Sequence, residues 1–260
     1  MEFTTLEVEA APPRGRLTLN RPEKLNPLST TTLQELAAAA RWFDAQPGVK
    51  VVVVGGHGRA FSAGADLAAF DGGGGRVDAA GRREAADAGR QMAEAVEAMR
   101  AVTVARIQGH CVGGGLVLAA ACDLRVAAET TRFAIPEVDL GIPLAWGGIP
   151  RLVREIGPAL TKELVMTCRP FSAEEARAAG FLNRVVPDPD LDAAVEELVG
   201  VLERKSALTL TATKRHTNAV TDGMVAPARA WNDADSLVTA LIDPESRAAA
   251  ADYLARVRRG

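Results

Sequence analysis

Cysteine is scarce in this chain, with Cys111, Cys122 and Cys168 the only three among 260 residues. They are too few and too scattered for a disulfide framework or for a paired CxxC metal site. The sequence also lacks an apolar run of about 18 residues, which a transmembrane helix would need. Its first residues, MEFTTLEVEA, do not show the basic and then apolar order of a signal peptide. These absences predict a cytoplasmic, reduced protein with no metal site and no contact with a membrane.

Basic residues do not outnumber acidic ones either. The chain has 30 Lys and Arg against 33 Asp and Glu, which gives a net charge of −3 at pH 7. Proteins that bind nucleic acid usually present a clustered basic face, so a nucleic-acid partner is not expected. A small substrate that carries phosphates stays compatible with this charge, because a few local Lys and Arg side chains are enough to bind it.

Short strand-like runs alternate with helical ones in the first half of the chain. Strands are predicted over 15–20, 49–56, 103–109 and 123–129, and the run over 49–56 is rich in β-branched residues, as in a strand buried on both faces. The segment between the last two strands is too long for a hairpin and is interpreted as a crossover helix. This order predicts an α/β fold with parallel strand pairing.

Two regions do not follow this alternation of strands and helices. Four consecutive glycines at 72–75 precede a highly charged helical stretch that extends to residue 90. No Gly-Lys-Ser/Thr follows the glycines, so a mobile surface loop is favoured over a phosphate loop. After Pro187 all segments are helical, and Leu191, Val195, Leu198 and Leu202 form one apolar stripe. Such a stripe must be buried against the core or against another subunit.

A run of three glycines, Gly113–Gly115, precedes the apolar crossover helix. The first N–H groups of a helix have no internal partner, and glycines let a polarised oxygen approach them closely. An oxyanion site is one interpretation, and close packing of strand and helix is the other. The stretch GRAFSAGADL (58–67) adds small residues after the buried strand, where ligands bind in open α/β sheets. Two such loops would make a paired oxyanion hole.

Six motifs in order carry a specific resemblance: RPEKLNPL, AFSAGADL, GHCVGGG, CDLRVA, FAIPEVDLGIPLAWGGIPRL and EARAAGFLNRVV. From about Gly15 to Val186 the chain resembles the enoyl-CoA hydratase/isomerase family, the crotonase superfamily. The resemblance implies a crotonase-like spiral of repeated ββα units over residues 1–190. It also implies a helical oligomerisation region over 191–260, a homotrimer or hexamer, and acyl-CoA thioester substrates. Coenzyme A would then be part of the substrate, with no further cofactor.

The same resemblance suggests which residues form the site. The two oxyanion N–H groups would be those of Ala63 and Gly114, with the thioester carbonyl between them. Ala65 and Asp66 would meet the adenine, and Lys24 would contact the CoA phosphates unless it is a solvated surface lysine. The residues expected to contact the substrate or CoA are Lys24, Ala65, Asp66, Leu67, Gly113, Val117 and Trp146.

Only one of the two glutamates that hydratases of this family carry is present. One is Glu137, and the position of the other holds Val117. Two carboxylates divide the acid and base work of hydration, whereas valine neither accepts a proton nor holds a water. One carboxylate can still move a proton between two carbons, which is double-bond isomerisation. Glu137 is therefore the predicted catalytic acid and base, the alternative being a salt-bridged surface acid.

Two further positions, Ala145 and Trp146, limit which reactions and substrates of the family are expected. Ala145 stands where dienoyl isomerases and aryl dehalogenases of the family carry Asp, which disfavours both activities. Trp146 replaces a small residue and either shapes the acyl pocket or packs in the loop. Three functions stay open: an enoyl-CoA isomerase, a specialised or weak enoyl-CoA hydratase, and a non-catalytic acyl-CoA-binding protein.

Overall fold

A computed structural model of the chain describes residues 2–66, 79–225, 230 and 232–257. The strands are β1 (Leu6–Ala11), β2 (Arg14–Leu19), β3 (Val51–Gly56), β4 (Val102–Ile107), β5 (His110–Val112), β6 (Leu124–Ala128), β7 (Arg132–Ala134), β8 (Phe171–Ser172) and β9 (Arg184–Val186). The helices are α1 (Thr30–Asp44), α2 (Ala79–Ala98), α3 (Gly114–Ala121), α4 (Gly148–Thr167), α5 (Ala173–Ala178), α6 (Leu191–Glu203), α7 (Ala207–Met224), α8 (Asp233–Ala240) and α9 (Pro244–Val257). The charged stretch after the glycines is helical, as predicted, while the loop prediction for 71–78 lies outside the described residues.

The chain winds through two sheets. The larger has the strand order β1-β2-β3-β4-β6-β9, in which β1 pairs antiparallel with β2 and the other neighbours are parallel. The smaller has the order β5-β7-β8. Successive turns add β4 and then β5, and β6 and then β7, so each turn contributes one strand to each sheet. This confirms the predicted spiral of ββα units.

The valine run of β3 explains how the larger sheet is buried. Side chains alternate between the two faces of a strand. Val52 and Val54 belong to the main core, and Val51 and Val53 pack on the other face of the sheet with α6. All four valines are buried, which is why no polar residue interrupts the run. The sheet is therefore covered on both sides and fixes the ends of its strands firmly.

The C-terminal helices have different positions. Of the predicted stripe, Leu191 and Val195 are buried against the sheet of the same chain together with Val199, while Leu198 and Leu202 are only partly buried there. Helix α7 is tied to the sheet by Lys214, whose ammonium lies 2.8 Å from the Asp123 carboxylate. Helices α8 and α9 return to the loops that follow β7. Within the described ranges, every helix is too short or too polar to span a bilayer.

Candidate active site

Two loops meet where β5 ends. Ser62 donates its N–H to the His110 carbonyl at 3.0 Å and accepts from the Val112 N–H at 3.0 Å, so its segment runs alongside β5. Gly64 follows with φ of +90°, and a Cβ on it would lie 2.7 Å from the Val112 carbonyl oxygen and 3.5 Å from the Gly114 nitrogen. Glycine is needed there because the two backbones touch. The small residues of both sequence motifs are thereby brought together.

The three consecutive glycines each make room for a different neighbour. A Cβ on Gly113 would lie 2.3 Å from Glu137 Oε1, and one on Gly114 would lie 2.2 Å from Trp146 Cζ3. A Cβ on Gly115 would lie 2.7 Å from Ser62 Cβ. Two of these neighbours are predicted site residues. Close packing and site formation are therefore not alternatives here, since the packing is what places a carboxylate and an indole beside the start of α3.

Glu137 is a buried carboxylate with no counter-ion among the described residues. The residue is 8% exposed, and its Oε2 has no hydrogen-bond partner among the described residues. Burial raises the pKa of Glu137 to about 7, although a hydrogen bond from its own backbone N–H opposes that shift. A carboxyl group with such a pKa exchanges a proton readily near neutral pH. The alternative of a salt-bridged surface acid does not fit this position.

Glu137 opens onto a small cavity of about 40 Å³. The cavity is lined by Ala65, Gly114, Val117, Glu137, Ile142, Pro143, Leu144, Ala145, Trp146 and Leu237. Glu137 is the only ionisable side chain in that lining, as far as the described residues extend. Val117 is buried and lines the same cavity, so the second carboxylate position of the sequence comparison is apolar in space as well.

Two backbone N–H groups beside the cavity, those of Ala65 and Gly114, have no acceptor among the described residues, whereas the Ala63 N–H has one. The Ala63 N–H donates to the Leu25 carbonyl at 2.8 Å, so the structure does not support its predicted role. Leu28 donates to the Gly64 carbonyl at 2.8 Å and accepts from the Asp66 N–H at 3.2 Å. In a parallel bridge of this kind, the backbone N–H and C=O of the residue between the two hydrogen bonds, here Ala65, point away from the partner segment. The Ala65 N–H thus turns toward the cavity and meets no acceptor within the described part of the chain.

Gly114 has the second such N–H group because it is the first residue of α3. The leading N–H groups of a helix lack internal partners and carry the positive end of its dipole. The preceding Gly113 donates to the Ala134 carbonyl at 2.9 Å and so holds the turn against β7. Both Ala65 and Gly114 line the cavity that Glu137 enters. A developing oxyanion between the two N–H groups would be stabilised electrostatically.

Comparison with known proteins defines the family. The family model described as "Enoyl-CoA hydratase/isomerase" matches residues 15–254. The chain belongs to the enoyl-CoA hydratase/isomerase family. A probable enoyl-CoA hydratase of Rhizobium meliloti (strain 1021) is 36% identical over 220 residues, 85% of this chain and 82% of that protein. A crotonyl-CoA hydratase of Syntrophomonas wolfei is 33% identical over 219 residues, 84% of this chain and 83% of that protein.

A solved structure supports the same assignment. The crystal structure of an enoyl-CoA hydratase from Mycobacterium avium subsp. paratuberculosis K-10 matches with a TM-score of 0.87 and 26% identity, covering 96% of this chain and 99% of that one. The predicted family and crotonase-like fold are therefore confirmed. This protein is an acyl-CoA-processing enzyme of the enoyl-CoA hydratase/isomerase family.

Three further predicted substrate contacts are not in the described cavity lining: Lys24, Asp66 and Leu67. Lys24 is exposed on a short turn over Pro22–Lys24, and the Asp66 carboxylate lies 3.2 Å from the Arg21 guanidinium. Leu67 lies outside the described residues. No group of three His, Cys, Asp or Glu placed to bind a metal occurs in the described ranges. Lys24 and Asp66 thus remain predictions for CoA contact.

Three residues in or next to the site were not predicted from the sequence. Leu237 of α8 lines the cavity, and Asp233 accepts the Gly147 N–H at 2.8 Å next to Trp146. Nothing in the sequence pattern links α8 to a loop some ninety residues earlier. Gly89 is the third, because a Cβ on it would lie 2.0 Å from Trp146 Cδ2. A glycine inside a charged helix is unfavourable there, and that signal could have found it.

Proposed function

We propose that this protein isomerises the double bond of an enoyl-CoA thioester, with Glu137 as the only proton carrier. The observation that carries the proposal is that, among the described residues, Glu137 is the one ionisable side chain lining the cavity, with Val117 also in its wall. The pKa of about 7 supports both halves of a proton transfer, since the group must first accept and then return a proton.

The proposed step starts with the thioester carbonyl oxygen between the N–H groups of Ala65 and Gly114. The Glu137 carboxylate removes a proton from C2 of a 3-enoyl thioester. The C–H electrons form a C1–C2 double bond and the carbonyl π electrons move to the oxygen, which gives a dienolate whose negative charge lies on that oxygen. Glu137, now protonated, gives the same proton to C4. The C3–C4 π electrons form the new C4–H bond, the C1–C2 π electrons shift to make the C2–C3 double bond, and the carbonyl re-forms. No further cofactor is needed, because the proton leaves and returns through one group.

A hydratase is the second candidate, because the relatives from Rhizobium meliloti and Syntrophomonas wolfei carry hydratase names. Hydration would need a water held for attack on the β-carbon and a proton for the α-carbon. Glu137 can supply one of these functions. Val117 supplies neither, so a hydratase would depend on a further group to position the water.

The two candidates are separated by what they do with solvent oxygen. In ¹⁸O-labelled water we expect conversion of 3-butenoyl-CoA to crotonyl-CoA without label, and hydration of crotonyl-CoA at least tenfold slower, both followed by mass spectrometry. Hydration with a kcat well above about 10 s⁻¹ would contradict the isomerase assignment. A protein that binds both thioesters and converts neither would be a non-catalytic acyl-CoA binder.

We also propose that the protein forms a homotrimer or a hexamer. Helix α7 supports this, since Leu208 and Met224 are 77% and 73% exposed in the single chain. Exposed apolar side chains on one helix favour burial against another subunit. Light scattering should give at least three times the chain mass of 27.3 kDa. A stable monomer at micromolar concentration would contradict the proposal.

A further inference from the structure

Trp146 occupies the space between α2 and the beginning of α3. A Cβ on Gly89 would lie 2.0 Å from the indole Cδ2, and one on Gly114 would lie 2.2 Å from Cζ3. The ring therefore fits only because both helices present glycine at the contact. The indole also lines the cavity beside Glu137. It thus takes up volume into which a longer acyl chain could otherwise extend.

The backbone of Trp146 is unusual for a large side chain. Its φ of +61° is left-handed, and Gly147 follows with φ of +69°. A residue other than glycine in this region is strained and persists only where its surroundings fix it. Here the Gly147 N–H is held by the Asp233 carboxylate of α8 at 2.8 Å. Such backbone strain is concentrated at functional sites, which favours a role in the site over simple packing of the loop.

The remaining volume is small. A group the size of a water needs about 10–15 Å³ of such cavity. The cavity of about 40 Å³ beside Trp146 therefore holds roughly three or four groups of that size. Apart from Glu137 its side chains are apolar, including Val117, Ile142 and Leu237. An apolar acyl group of about four carbons fits this space, and a hydroxyl or carboxyl substituent lying against its apolar side chains would find no partner among them.

We infer that Trp146 is a specificity-determining residue that restricts the enzyme to short, apolar acyl-CoA thioesters. The inference rests on the proposed function only in taking this cavity as the acyl site. It adds the substrate class and names the side chain that sets it.

Binding of saturated acyl-CoAs tests the inference independently of catalytic turnover. Calorimetry with butyryl-, hexanoyl- and octanoyl-CoA should show the wild type losing at least tenfold in affinity between the first and the last. Trp146→Ala should bind octanoyl-CoA at least tenfold more tightly than the wild type does, because the longer chain would bury additional methylene groups in the space that the indole vacates. Trp42→Ala is the matched control, since Trp42 is a partly buried tryptophan on α1 outside the cavity lining. It should leave the chain-length profile unchanged.

A second variant keeps the test decisive if Trp146→Ala folds poorly. Gly89→Ala places a methyl group against the indole and should weaken butyryl-CoA binding, and Trp146→Leu in the same chain should remove that effect. Equal affinity of the wild type for butyryl- and octanoyl-CoA would overturn the inference, as would variants that leave the profile unchanged. Failure of the proposed function would look different: the chain-length profile would appear, but no enoyl-CoA would be converted.

Discussion

Glu137→Gln is expected to lower the rate of enoyl-CoA isomerisation by about 10³-fold or more, within the range that general acid–base groups contribute. Glutamine keeps the shape of the side chain but cannot carry the proton between the two carbons. Because Glu137 has no partner on Oε2 in the described structure, the substitution breaks no ion pair. The loss should fall on kcat, and calorimetry should find the affinity for a saturated acyl-CoA nearly unchanged.

The same carboxylate should set the pH profile of the wild type. Proton removal needs the ionised form, so kcat/KM should rise from pH 5 and level off above the pKa of about 7. Glu137→Asp, which keeps an ionisable group, should retain a rise with pH at a reduced rate, whereas Glu137→Gln should lose it. A Glu137→Gln enzyme with more than a tenth of wild-type activity would show that another group carries the proton.

Removing the Gly114 N–H is the second large effect we expect. Loss of one oxyanion donor costs about 10²–10³-fold in kcat. Proline removes that N–H and is tolerated at the first position of a helix, which Gly114 occupies in α3. Proline also adds a Cβ, which would press on Trp146. We therefore compare Gly114→Pro with Gly114→Ala, both in a Trp146→Ala background, so that only the donor differs.

In this pair, Gly114→Pro should show a kcat about 10²–10³-fold below that of Gly114→Ala. Circular dichroism and thermal unfolding provide the check that both fold. Equal kcat values in the two folded variants would mean that the carbonyl oxygen does not meet the Gly114 amide, and the site geometry proposed here would be wrong.

The sequence predicted the parts of this fold that depend on local pattern. The uninterrupted valines of β3 indicated a strand buried on both faces, and the structure divides them between two cores. The glycines at 113–115 indicated a close approach. Which groups approach could not be read from them, because Trp146 and Glu137 come from a different segment and their contacts depend on the tertiary fold.

The choice between the Ala63 and Ala65 amides also could not be predicted from the sequence, although both belong to one motif. Ala63 and Ala65 are both small residues in one loop, and their sequence surroundings do not distinguish them. Their roles are decided by a separate segment, since Leu25 accepts the Ala63 N–H and Leu28 pairs on either side of Ala65. Hydrogen-bond partners that are distant along the chain thus determined which amide is free.

Helices α8 and α9 contact the site of their own chain, which has a consequence for the proposed oligomer. Leu237 and Asp233 reach the site of the same chain, and the Ser246 carbonyl lies 2.0 Å from the position of a Cβ on Gly141. The described lining of the cavity and its carboxylate therefore come from one chain. In mixed oligomers of active and Glu137→Gln chains, activity would rise in direct proportion to the active fraction. Two differently damaged chains would not restore each other, so in a cell carrying both alleles neither would compensate for the other.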